Sequence, residues 1–148
     1  MTETPHTTSS EDYSLVLQPL VNIPKVRHIV VASSDGMLVA ASEGLKPHVA
    51  EGIAAMSSSG ISAMRSTADH ALQADAEHPE PNPIETITTV SALGTCMWMP
   101  AANNSFLVVI GEPDMPMGIV ASTAARQARR LGEKLIAVPA RDTGGTQS

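Results

Sequence analysis

The dipeptide Asp35-Gly36, set between two short apolar runs, constrains this chain more than any other feature. Both residue types tolerate positive φ, the conformation that lets a tight turn follow the right-handed twist of two antiparallel strands. Val26–Ser33, with Ile29, Val30 and Val31 at its centre, reads as one strand, and residues 37–42 read as its return. A lone two-stranded ribbon is marginal in water, so this hairpin must join a larger sheet and lay a face on something else. At 148 residues the chain has room for one domain to supply that cover.

The covering elements follow from spacing and punctuation. Ser9-Ser10-Glu11-Asp12 offers an N-cap with acids behind it, and Tyr13, Val16, Leu17 and Leu20 follow at helical intervals. Pro19 removes a backbone donor from that pattern, so a short or kinked first helix is expected, finished by Pro24. Pro47 opens a long helix to about Ala74, and Pro79, Pro81 and Pro83 make the next stretch a loop. Three strands are expected over residues 84–91, 94–99 and 104–110. A last helix is expected after an Asp114 cap, with Pro116 in its first turn and Pro139 as its stop. Residues 1–10 and 140–148 read as disordered tails around a domain over residues 11–139. The order is helix, hairpin, long helix, three-stranded meander, helix, which gives an α/β sandwich of five strands with helices on both faces.

Composition narrows the function. Tyr13, Trp98 and Phe106 are the only aromatic residues, so the core rests on aliphatic and Met side chains. They also cannot form a stacking platform for nucleic-acid bases. The net charge is −6, with the acidic excess before Pro113 and a mildly basic segment after it, which argues against nucleic-acid backbone binding. Cys96 is the single cysteine, which excludes an internal disulfide or a zinc cluster. The N-terminus lacks the basic and apolar regions of a signal peptide, and no apolar run approaches the length of a membrane span. A cytoplasmic protein without membrane insertion is expected.

Catalytic signatures are missing. There is no phosphate-binding loop, dinucleotide-binding turn or nucleophile elbow. The histidines His6, His28, His48, His70 and His78 never fall three or four apart, so no metal site is expected. Cys96 has no cationic neighbour in sequence and reads as a small core residue rather than a nucleophile.

Two features stand out as functional candidates. The first is a face of small residues on the long helix: Gly52, Met56, Ser59, Gly60 and Ala63. Packing on the chain's own sheet accounts for part of that helix. Apolar residues continue around it at Ile53, Ala54, Ala55, Ile61 and Ala68, and a helix apolar over more than one stripe needs two partners. The second partner is expected to be another copy of the chain. The strand over residues 84–91, with Ile84, Thr86, Thr88 and Val90, would then pair with its own copy at a sheet edge. The second feature is the basic row Arg126, Arg130, Lys134, with Arg129 beside it. It reads either as a solvated face favourable to the helix dipole or as a docking surface for an acidic partner.

Taken in order, these segments resemble the roadblock (dynein light-chain) family over most of the chain. The likeness is carried by Leu20-Val21, Val26, Ile29-Val30-Val31, Ser33-Ser34-Asp35-Gly36 and the return strand. It continues through Gly44-Leu45, Ala50-Glu51 at the start of an Ala/Ser-rich helix, and Met117-Gly118 after the last strand. The details look most like actinobacterial members of the conservon type, encoded beside a sensor-kinase-like protein, a small accessory protein and a Ras-like GTPase. Pro19 and the long proline-rich loop depart from the family pattern. The resemblance implies a five-stranded antiparallel sheet, the long helix on one face and the two terminal helices on the other. It also implies a two-fold dimer through the long helix and third strand. Such proteins regulate or scaffold Ras-like GTPases. A non-enzymatic homodimer that docks a Ras-like GTPase, with modulation of GTP hydrolysis and a sensor-kinase-like protein as further expectations, is thus implied, with no cofactor. The alternative is a small-molecule-sensing domain of related α/β shape, which would need a cavity with convergent polar groups.

Overall fold

The computed structural model describes residues 4–101 and 104–147, with side chains described over 13–101 and 104–133. Its elements are α1 (Thr4–Val21), β1 (Val26–Ser33), β2 (Leu38–Ala41), α2 (Pro47–Gln73), β3 (Ile87–Ser91), β4 (Gly94–Ala101), β5 (Ser105–Gly111) and α3 (Met117–Gln147). The strands form one sheet in the order β2-β1-β5-β4-β3, with every neighbouring pair antiparallel.

The hairpin forms as its sequence dictates. The Ser33 N–H donates to the Met37 carbonyl at 2.9 Å, closing the loop Ser34-Asp35-Gly36. Within that loop only Gly36 takes positive φ, at 95°. A glycine there fits a three-residue loop ending in a left-handed residue rather than the two-residue turn in which both central positions are left-handed. The register shifts between Val31 and Ala32, which leaves Val39 as the extra residue on β2.

Strand alternation divides the core in two. Ile29, Val31, Met97, Met99, Leu107 and Val109 face α1 and α3, where they pack with Leu17, Leu20, Val120, Ala124 and Leu131. Val30, Ala32, Phe106, Val108 and the half-buried Trp98 and Ile110 face α2. The α1–α3 side holds most of the buried aliphatic volume, and the α2 side is the thinner layer.

Several boundaries differ from expectation. The first helix is not cut short: Pro19 lies in its last turn, one turn after the exposed Leu15 on the same face, so the Leu15 carbonyl that loses its i+4 donor is on the outer side. The helices also extend over residues 4–10 and 140–147, which the sequence reads as tails, and α3 passes through Pro139. Proline's fixed φ is itself helical, so the ring costs a hydrogen bond without forcing a stop. Asp114 does not cap α3; its carboxylate pairs with Lys25 Nζ at 3.0 Å. The strand expected over residues 84–91 begins only at Ile87, because Ile84, Glu85 and Thr86 follow Pro83 without joining the ladder.

Candidate functional site

The candidate site begins with a mismatch between the length of α2 and how little of it is buried. Of its 27 residues only Ala50, Ala54 and Ser57 are buried, with Ile53 and Ile61 half-buried against the sheet. Met56 is 70% and Met64 48% exposed, and Ser59, Gly60 and Ala63 are also exposed. Gly52 is half-buried, with the Met56 methyl 4.0 Å from where its side chain would begin. The small, flat side chains on the sheet side let the helix lie close, and the bulkier Met residues point away from it.

The Ser-rich centre of α2 has a local explanation. Ser57 Oγ accepts the Trp98 indole N–H at 2.8 Å, which ties the helix to β4. The Ser58 hydroxyl donates to the Ser34 carbonyl in the hairpin loop. Poor helix propensity at these positions is thus offset by fixing the helix to the sheet at one flank and to the loop at the other.

Beside α2 runs an open apolar cleft of about 400 Å³, lined by Ile53, Met56, Gly60, Met64, Ile87 and Trp98 among others. Its outer wall is β3, the last strand of the sheet, which pairs only with β4 among the described residues. Ile87 and Thr89 lie opposite Trp98 and Cys96 and so share the α2 side of the sheet. Thr88 and Val90 lie opposite Met97 and Thr95 and so share the α3 side, although Thr88 also borders the cleft. Ile84 and Thr86 line a second cleft of about 400 Å³ on the α3 side, with Met99, Ala125, Ala128 and Arg129. The residues expected to form one interface therefore fall on both sides of the edge strand. Ile87, Thr89 and Trp98, which line the cleft, do not stand out in the sequence as site residues. The alternation of β3 with β4 would identify the first two once the strand's start is fixed.

The basic row is partly visible. Arg126, Arg129 and Arg130 are exposed on α3, and Arg126 Nη2 donates to Thr123 Oγ1 at 3.4 Å. The Lys134 side chain lies outside the described residues. Cys96 is half-buried on the α2 side, where burial pushes its thiol pKa up and a hydrogen bond with Thr89 opposes this more weakly. That environment favours the neutral thiol, the opposite of what activates a nucleophile. Among the described residues no cluster of three or more His, Cys, Asp or Glu could hold a metal, and no helix is long and apolar enough to cross a membrane. The hydroxyl of Ser57 in the apolar cleft is already committed to Trp98, so the cleft offers a greasy surface rather than convergent polar groups.

Comparison with known proteins gives a consistent picture. The family model described as "Roadblock/LC7 domain" matches residues 12–111. A Roadblock/LC7 domain from Streptomyces avermitilis is similar in structure at a TM-score of 0.70 and 17% identity, covering 83% of this chain and 97% of that one. MglB from Myxococcus xanthus is similar at a TM-score of 0.71 and 13% identity, covering 86% and 98%. The gliding protein MglB from Thermus thermophilus is similar at 0.67 and 18%, covering 90% and 92%. No curated protein matches the sequence.

Proposed function

Because the chain belongs to the Roadblock/LC7 domain family, we propose that it is a cytoplasmic, non-enzymatic homodimer that docks a Ras-like small GTPase and modulates its GTP hydrolysis. The observation that carries the dimer is the exposed methionine flank of α2 lying beside an unguarded strand edge.

The two edges of the sheet are unequal. β2 is four residues long, bulged at Val39, and followed by Ser42 and Glu43. Short length, a bulge and a nearby charge are devices that discourage a strand from pairing with another chain. β3 is also short and has Glu85 two residues before it, but it lacks the bulge: Ile87–Ser91 itself carries no charge, no proline and no register shift against β4. Pairing of β3 with a second β3 would extend the sheet to ten strands and bring two α2 helices together over the join. It would cover Met56, Gly60, Met64 and Ile87 in one step, as a two-fold interface requires.

Docking of the GTPase is assigned to the exposed arginines Arg126, Arg129 and Arg130 of α3, continuing toward Lys134. They lie on the opposite side of the sheet from α2, with Arg126 and Arg130 away from the join and Arg129 bordering the cleft at Ile84 and Thr86 beside it. A charged rim of this kind governs encounter rate and choice of partner more than raw affinity.

The test has two parts. Light scattering at micromolar concentration is expected to give twice the 15.4 kDa protomer mass, and a protomer mass would overturn the dimer. Co-purification with a Ras-like GTPase from the same genome, followed by single-turnover GTP hydrolysis with and without this protein, tests the docking. No retained GTPase would overturn that part independently of the first.

A further inference from the structure

The opposite flank of α2 carries a different kind of surface. At ~3.6 residues per turn, Ser58, Ser62 and Arg65 lie across the helix from Met56 and Gly60. They meet the two loops at one end of the sheet: Ser34 of the β1–β2 loop, and Asn104 with Ser105 at the start of β5. The Ser34 N–H donates to the Asn104 carbonyl at 2.7 Å, and Ser58 is bonded to the Ser34 carbonyl, so helix and loops are clasped together. Between them is a cleft of about 180 Å³ whose floor is Ile61, Pro100 and Phe106.

The charge in that cleft is one-sided. Arg65 lines it and no aspartate or glutamate does. The carboxylate one helical turn further on, Asp69, accepts a hydrogen bond from Asn82 at 3.0 Å instead. Among the described residues Arg65 makes no ion pair. A guanidinium has donors in a fixed fork and no acceptor, whereas the Ser62 hydroxyl and the Asn104 amide can each donate as well as accept, so the one charge in the cleft is positive, with two further donors beside it.

We propose that this cleft is a binding site for one small oxyanion, a carboxylate or a phosphate, held by Arg65 with Ser62 and Asn104. An arginine fork matches the oxygen spacing of both groups. The volume admits one such group with a short apolar stem over Ile61 and Phe106. The site does not depend on the dimer or on a partner, since it lies on the flank of α2 turned away from β3.

The experiment is a titration of the ¹⁵N-labelled full chain, at constant ionic strength, with inorganic phosphate and separately with acetate. Amide and side-chain signals of Ser34, Ser62, Arg65 and Asn104 are followed. Saturable shifts confined to these residues are expected, and whichever anion saturates at the lower concentration identifies the oxyanion the cleft takes. Arg65→Gln, an exposed change that leaves the fold intact, is expected to weaken saturation at least tenfold, while Arg27→Gln leaves it unchanged. Shifts that are absent, non-saturating, or unaltered in Arg65→Gln would overturn the site.

Discussion

Gly60 shows how a single residue can separate the stability of the protomer from that of the proposed dimer. A side chain built there meets nothing within 4 Å in the protomer. Gly60→Ala should therefore raise protomer stability by about 0.5–1 kcal/mol, the usual gain from replacing an exposed helix glycine. Gly60→Leu should leave the protomer folded yet weaken the proposed dimer, because the two helices could no longer approach closely. Thermal melts over a range of protein concentrations check both: a melt of Gly60→Leu that keeps the wild-type concentration dependence would place Gly60 outside the interface. Gly111 behaves in the opposite way. Its added Cβ would lie 2.7 Å from the Lys25 carbonyl and press on Met115 as well. Gly111→Ala should cost about 2 kcal/mol in urea denaturation at any concentration. The sequence makes Gly60 visible through its place among small residues on a helix. Gly111 is not legible that way, since what crowds it is a backbone carbonyl far earlier in the chain, brought close by the pairing of β1 with β5.

At the level of elements, what is set locally is legible in the sequence, and what depends on distant contacts is not. β1 has the bounds its β-branched run dictates, and α2 starts at the proline that opens it. β3 lacks its first three expected residues because pairing with β4, rather than composition, fixes where a strand begins. The outward stripe of α2, Val49, Met56, Gly60 and Met64, follows the helical period as well as the sheet-facing one does. Periodicity finds a face without saying what lies against it. The link between β1 and the loop before α3 is also long-range. Lys25 takes φ of 78°, its carbonyl accepts from Glu112, and its ammonium pairs with Asp114. The hydrogen bond to Lys25 holds the Asp114 carboxyl below its ordinary 3.8, and the same bond with Asp114 raises Lys25 above 10.5. The Asp114 contribution is thus present above pH 3.8 and fades as pH falls through the lowered value, while that of Lys25 is lost as pH rises through its raised value. Both groups are solvated, so the effect is small and salt-sensitive. Asp114→Asn should flatten the acid limb of a stability–pH curve at low ionic strength, with the difference from wild type vanishing in about 1 M salt.

For the whole molecule, the arginines bear on how the proposed regulation could work. An inserted arginine that stabilises charge on a transferred phosphoryl group is worth on the order of 10³-fold or more in turnover. Arg126, Arg129 and Arg130 stand on a regular helix, Arg65 lines a cleft of the protein itself, and Arg27 borders a groove between α1 and β2. None projects from a loop. Any activation of the proposed GTPase should therefore act by holding its own switch residues in place. Alanine at each of these five positions should lower affinity at most, leaving saturated turnover within a few-fold; a thousandfold collapse with binding intact would identify a finger. The family fold was legible in the order of elements around Asp35-Gly36, whereas a docking face has no comparable local signature. One feature also makes the proposed dimer observable without a label. Trp98, the sole tryptophan, stands half-buried in the apolar cleft with its indole N–H on Ser57. Any partner that seals that cleft strips water from this one chromophore. Intrinsic emission should then shift to shorter wavelength as protein concentration crosses the dissociation constant, turning a colourless equilibrium into an optical one.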